Sequence, residues 1–147
     1  MSGPSLGWVA QARVLMTAPD ASLETLAHWL GPDVERGPDA LRAGAGALPG
    51  AGTVTVDASD GVPGSLSAWY PGETGPTLAE AEAELGPAQE LGRLQASPPQ
   101  VAFPGYHGAS AACFIAATTW DPPGIGAERR IFQLILRRDE IPRELAV

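Results

Sequence analysis

Ser22-Leu-Glu-Thr-Leu-Ala-His-Trp-Leu-Gly-Pro32 recurs in pattern as Thr77-Leu-Ala-Glu-Ala-Glu-Ala-Glu-Leu-Gly-Pro87. The offset is 77 − 22 = 55 residues, without a gap. Self-similarity at one fixed spacing points to two copies of a single supersecondary unit. Each copy opens on a hydroxyl residue that can cap a helix. Each closes on Gly-Pro: glycine permits the turn out of the helix, and proline cannot continue it. Leu23, Leu26, Ala27 and Leu30 make one apolar stripe at helical spacing, and Leu78, Ala81 and Leu85 make the other. Thr77 with Glu80 three residues on has the form of a capping box.

The segments after each helix correspond as well. A loose Ala/Gly/Pro stretch spans 36–51, after which Thr53 to Asp57 alternates as a strand. Ser59-Asp60-Gly61 and Pro63-Gly64 supply a turn, and Leu66 to Tyr70 returns. In the second half, strand 100–103 is followed by turn residues Pro104-Gly105 and His107-Gly108, then by a longer strand from Ala111 to Trp120. A short helix over 8–16 precedes the first copy, and Arg130 to Arg137 forms a last strand. On that strand Phe132, Leu134 and Leu136 share the face expected to meet the helices, leaving Ile131 and Ile135 on the other. The expectation is an α+β protein of two tandem αββ-type units, 1–72 as α-α-β-β and 73–147 as α-β-β-β. They share one core, an antiparallel sheet with helices packed on one face.

Composition narrows the function. With 147 residues and 44% hydrophobic content, the chain can bury a core. A net charge of −8 argues against nucleic acid, whose binding needs basic side chains on phosphates. Lysine is absent, which excludes a Schiff-base enzyme and a phosphate-loop lysine. One cysteine excludes an internal disulfide framework and a multi-cysteine metal site. No apolar run is long enough to span a membrane, and the first residues lack the pattern of a signal peptide, so a cytoplasmic protein is expected.

The segment Gly75-Pro-Thr-Leu-Ala-Glu-Ala-Glu-Ala-Glu-Leu-Gly86-Pro87 resembles the capped helix of two related groups, the small outer-membrane assembly lipoproteins and the β-lactamase-inhibitor proteins. Asp20 to Pro32 has the same spacing, with Asp20 in place of the leading glycine. The resemblance implies a scaffold for protein–protein contact that presents a sheet face. It carries no functional residue across, because the matched positions are structural. The chain lacks the lipobox cysteine and the paired cysteines of those groups, so their location does not follow.

Candidate chemistry is sparse. His107 and Cys113 could form a nucleophile and base, yet Cys113 sits in the apolar run Ala-Ala-Cys-Phe-Ile-Ala and reads better as a small core residue. Glu24 and His28 can meet on one helix face but lack further ligands for a metal. Asp57, Asp60 and Gly61 have the wrong spacing for a calcium loop and suit a hairpin turn. Glu73, Glu80, Glu82, Glu84 and Glu90 form an acidic run that could steer a basic partner. Trp69, Tyr70 and Trp120, with Phe103 and Tyr106 near the same end, are either core residues or, on an open sheet face, candidate interface anchors.

The reading is a non-catalytic intracellular protein-binding module, of the inhibitor or immunity kind. It would engage a protein, for example a basic toxin or enzyme, through Trp69, Tyr70, Trp120, Glu80, Glu84 and Tyr106. No cofactor, metal, nucleic acid or membrane is expected, and a homodimer is a further expectation. The alternative is a small cytoplasmic enzyme or ligand-binding protein of secondary metabolism, with a pocket between the sheet and the 36–51 loop.

Overall fold

The computed structural model describes residues 3–91, 100–108, 110–119 and 129–140. Three helices occur among them: α1 (Trp8–Thr17), α2 (Leu23–Leu30) and α3 (Leu78–Leu85). Eight strands follow in chain order: β1 (Glu35–Arg36), β2 (Ala40–Ala43), β3 (Thr53–Ser59), β4 (Val62–Trp69), β5 (Gln89–Glu90), β6 (Gln100–His107), β7 (Ala111–Thr119) and β8 (Ile131–Glu140). They form one sheet in the order β1-β2-β3-β4-β8-β7-β6-β5, with every neighbouring pair antiparallel.

Local chemistry accounts for the helix limits. The Ser22 hydroxyl accepts the Thr25 N–H at 3.2 Å, and Gly31 leaves α2 at φ +114°. Thr77 and Glu80 complete the capping box on α3, and Gly86 leaves it at φ +100°. The β3–β4 hairpin turns on Asp60 and Gly61, at φ +52° and +79°. Two consecutive positive φ values are what a two-residue turn matched to strand twist requires, and Asp-Gly provides them.

Burial follows the pairing register. Leu41, Val56, Leu66, Leu136, Ile115 and Phe103 line up as a row across six strands. Ala43, Val54, Ala68, Leu134, Ala117 and Val101 make the adjacent row. All twelve are buried, and the helices pack their apolar stripes on this face. α1 supplies Val9, Ala12 and Met16; α2 supplies Leu26, Ala27 and Leu30; α3 supplies Leu78 and Ala81. The fold is α+β, an antiparallel sheet with its helices on one face.

Three expectations change. The 36–51 stretch is not wholly irregular, because it holds β1 and β2, which extend the sheet beyond β3. Pro104-Gly105 does not turn the chain; a register shift between Phe103 and Tyr106 absorbs both residues, so β6 runs on to His107. Ile131 is not on the open face. Thr119 pairs with Ile131 while Thr118 pairs with Gln133, so Phe132 is an extra residue and the phase flips before it. Ile131 is therefore fully buried and Phe132 only half-buried. Among the described residues, no helix is long and apolar enough to cross a membrane.

Candidate functional site

The helices cover only one side of the sheet. On the other side the same register sets out four rows of outward side chains. The first is Thr53, Trp69, Gln133, Thr118 and Gln100. The second is Arg42, Thr55, Ser67, Ile135, Ala116 and Ala102. The third is Ala40, Asp57, Ser65, Arg137 and Phe114. The fourth, shorter, is Asp139, Ala112 and His107. Most of these residues are small or polar, as a sheet face without a helix layer allows.

Three large apolar side chains break that pattern, and they lie on a diagonal. Trp69 opposes Gln133, two residues before Ile135, and Ile135 opposes Ala116, two residues after Phe114. Diagonal neighbours across adjacent strands stand about 7–8 Å apart, within reach of aromatic side chains. Trp69 is 40% exposed, and Ile135 and Phe114 are half-buried. The exposed Arg137 guanidinium stacks over the Phe114 ring at 5.2 Å from its centroid and pairs with Asp139 at 3.5 Å. The cation covers the Phe114 end of the diagonal.

The sequence-derived candidates do not share this site. Trp69 is on it. Tyr70, the next residue, points the other way and is 3% exposed; burial pushes its hydroxyl up to about 12, opposed weakly by the Trp8 indole. Tyr106 opposes Cys113 and so faces the helices, where the Arg13 guanidinium lies 4.8 Å from its ring centroid. Trp120 lies outside the described residues.

The glutamates of α3 are engaged with the chain itself. Glu80 Oε2 accepts the Gly3 N–H at 2.5 Å, and its Oε1 accepts the Thr77 N–H at 2.9 Å. Glu84 Oε2 accepts the Leu6 N–H at 2.8 Å, and Glu82 Oε2 accepts the Ala88 N–H at 3.0 Å. The backbone N–H of Thr77, then that of Gly3, hold the Glu80 carboxyl below its ordinary pKa. Glu80 and Glu84 therefore fasten the N-terminal segment, with Leu6 fully buried, along α3. The acidic run is in large part a set of backbone clasps.

The catalytic candidates separate too. His107 opposes Ala112 while Cys113 opposes Tyr106, so His107 and Cys113 project from opposite faces of the sheet. Burial pushes the Cys113 thiol up to about 11, with the Arg13 charge opposing the rise. Glu24 pairs with Arg36 rather than with His28, which is exposed. A cleft of about 270 Å³ does lie beside the 36–51 stretch, lined by Leu30 to Val34 and Ala43 to Ala47. Asp33 is the one ionisable side chain in that lining.

Sequence reasoning missed Phe114, Ala116 and Arg137 as parts of the open face. β7 is apolar on both faces, so its alternation carries no signal of which side is covered. Comparison of the chain with protein-family models, curated proteins and solved structures gives no significant match.

Proposed function

We propose that this chain is a non-catalytic protein-binding module that docks through the open face of its sheet. The carrying observation is the Trp69–Ile135–Phe114 diagonal, an apolar stripe in the middle of an otherwise small and polar face. Aromatic and aliphatic anchors ringed by small polar residues are the arrangement from which interface hot spots are built. The two outermost strands, β1 and β5, are two residues long, so little edge is left for strand addition. Docking by the face is then the better use of this sheet.

The acidic helix recedes from the proposal, because its carboxylates already hold backbone N–H groups. An inhibitor or immunity role, the likeness of the capped helices to the two inhibitor and lipoprotein groups, and a cytoplasmic setting remain part of the same reading. The two-unit scaffold belongs with it. Its support is that α2 packs on β2 and α3 on β6, each the second strand after its helix. The strand order also reads outward alike from the β4–β8 pair in the middle. The ligand-binding alternative has in its favour the cleft beside residues 43–47 and a more open one of about 360 Å³ lined by Glu35, Arg36, Arg42, Thr55 and Asp57; both stand near the lower end of the usual range of about 300–1,000 Å³.

Capture from the native host tests the proposal. Immobilised wild-type chain should retain a protein that the Trp69→Ala variant, unchanged in thermal stability, does not. Equal capture by both would place the docking surface elsewhere.

A further inference from the structure

The charge on the open face differs from that of the molecule. The whole chain carries −8. Across the six inner strands, the outward ionised side chains are Arg42 and Arg137 against Asp57 and Asp139, which balance. Glu35 stands at the margin, on the two-residue β1. A strongly acidic molecule thus keeps one near-neutral face with mixed signs, and the apolar diagonal crosses it. A basic partner would gain no field from this face. A partner as acidic as the chain itself would meet no excess of like charge at the contact, so the repulsion left is the long-range one between the net charges.

The dimensions suit such a partner. Six strands at about 4.8 Å spacing give about 24 Å of width, and four outward rows about 6.8 Å apart give a length of about 20 Å. The projected area is then roughly 500 Å² per molecule, or about 1,000 Å² in all when two faces close, at the threshold for a specific interface. About half of the outward residues are Ser, Thr or Ala, short enough for another sheet to approach at the usual separation of about 10 Å.

We propose that the occupant of this face is a second copy of the chain, packed open face to open face about the Trp69–Ile135–Phe114 diagonal. The inference rests on the docking reading above and names its partner. The dimer is a sandwich with both helix layers outward. A two-fold axis lying between the sheets, across the diagonal at Ile135, sets Trp69 of each copy over the Phe114 end of the other. The Arg137 and Asp57 positions give each copy both signs to offer the other.

Salt dependence separates this proposal from the basic-partner reading. Long-range repulsion between two copies of charge −8 is screened by salt, whereas apolar contact is not weakened. Self-association therefore tightens as sodium chloride rises, while capture of a basic partner loosens.

Sedimentation equilibrium of the full chain, from low micromolar to several hundred micromolar, tests it at low and high salt. Expected is a concentration-dependent dimer that tightens with salt. Ile135→Glu should weaken it about tenfold or more, and Trp69→Ala should weaken it to a similar degree. Circular dichroism reports whether each variant is folded; if Ile135→Glu is not, Trp69→Ala carries the test, since its side chain lies outside the core. A dimer unchanged in the folded variants overturns the proposal by placing the contact elsewhere. A monomer at every concentration also overturns it. In that case the docking reading is judged on its own, by whether host capture is lost in Trp69→Ala.

Discussion

Thr77 and Glu80 each hold the other's backbone N–H, and Glu80 also holds Gly3. The Thr77 hydroxyl is the piece that can be removed cleanly. Thr77→Ala should cost about 1 kcal/mol, read as a lower denaturation midpoint. The Glu80 carboxyl titrates below its ordinary value of 4.5 in the fold, so its contribution is complete above that pH and is lost as pH falls through the folded value. The exchange protection of the Gly3 amide should fall in that acid window before that of the sheet amides does. At the alkaline end the sign reverses. Cys113 and Tyr70 are raised from 9.0 to about 11 and from 10.0 to about 12, so the unfolded chain releases these protons first. Stability should hold to about pH 9 and fall from there to pH 12, with Cys113→Ala removing the earlier part of the fall. Alkylation of Cys113 at neutral pH should be slow in the folded protein and fast in denaturant.

The crossing from β4 to α3 is tied at one glycine. A Cβ on Gly75 would stand 1.9 Å from the Ile131 carbonyl oxygen, and the Arg130 guanidinium donates to the Gly75 carbonyl at 2.7 Å. Leu78 N–H meets the Arg129 carbonyl and Ile131 N–H meets the Pro76 carbonyl, so this segment runs hard against the start of β8. Backbone on both sides leaves nothing free to move aside. Gly75→Ala should therefore destabilise by about 2 kcal/mol or more, and chemical denaturation would measure it. A change within about 0.5 kcal/mol would show that the crossing has room that its backbone contacts deny. The hairpin turn at Asp60-Gly61 does more than join β3 to β4, because the Gly61 carbonyl accepts the Leu23 N–H at 2.9 Å and sets the hairpin tip against the start of α2.

At the scale of the molecule, one sheet divides two environments. Leu66 and Ser67 are chain neighbours, yet the first lies in the continuous core row and the second on the open face. Leu66→Ala should cost about 2–5 kcal/mol. Ser67→Ala and Trp69→Ala should change stability little, the latter while weakening association; thermal denaturation beside sedimentation separates the two effects. If Trp69→Ala proved as costly as Leu66→Ala, the face would be a second core rather than a docking surface. Charge is divided in the same way, with balanced signs on the open face and the excess acid carried elsewhere.

The amino-acid sequence by itself determined the pieces whose causes are local. Caps at Ser22 and Thr77, stops at Gly31 and Gly86, and the Asp60-Gly61 turn rest on contacts within a few residues, and each stands where its chemistry puts it. The core side of β3 and β4 was legible from alternation, because only one face is apolar. Tertiary structure alone decided what depends on a distant partner. β1, β2 and β5 are too short to announce themselves and exist only because a neighbour pairs with each: β3 with β2, β2 with β1 and β6 with β5. Phe132 shifts the phase of β8 through a mismatch with β7, which no reading of either strand alone contains. Glu80 and Glu84 look like solvated charge until the N-terminal segment, more than 70 residues away in the chain, donates its N–H groups to them. The apolar diagonal is of the same kind, since Trp69, Ile135 and Phe114 become neighbours only when three strands fall into register.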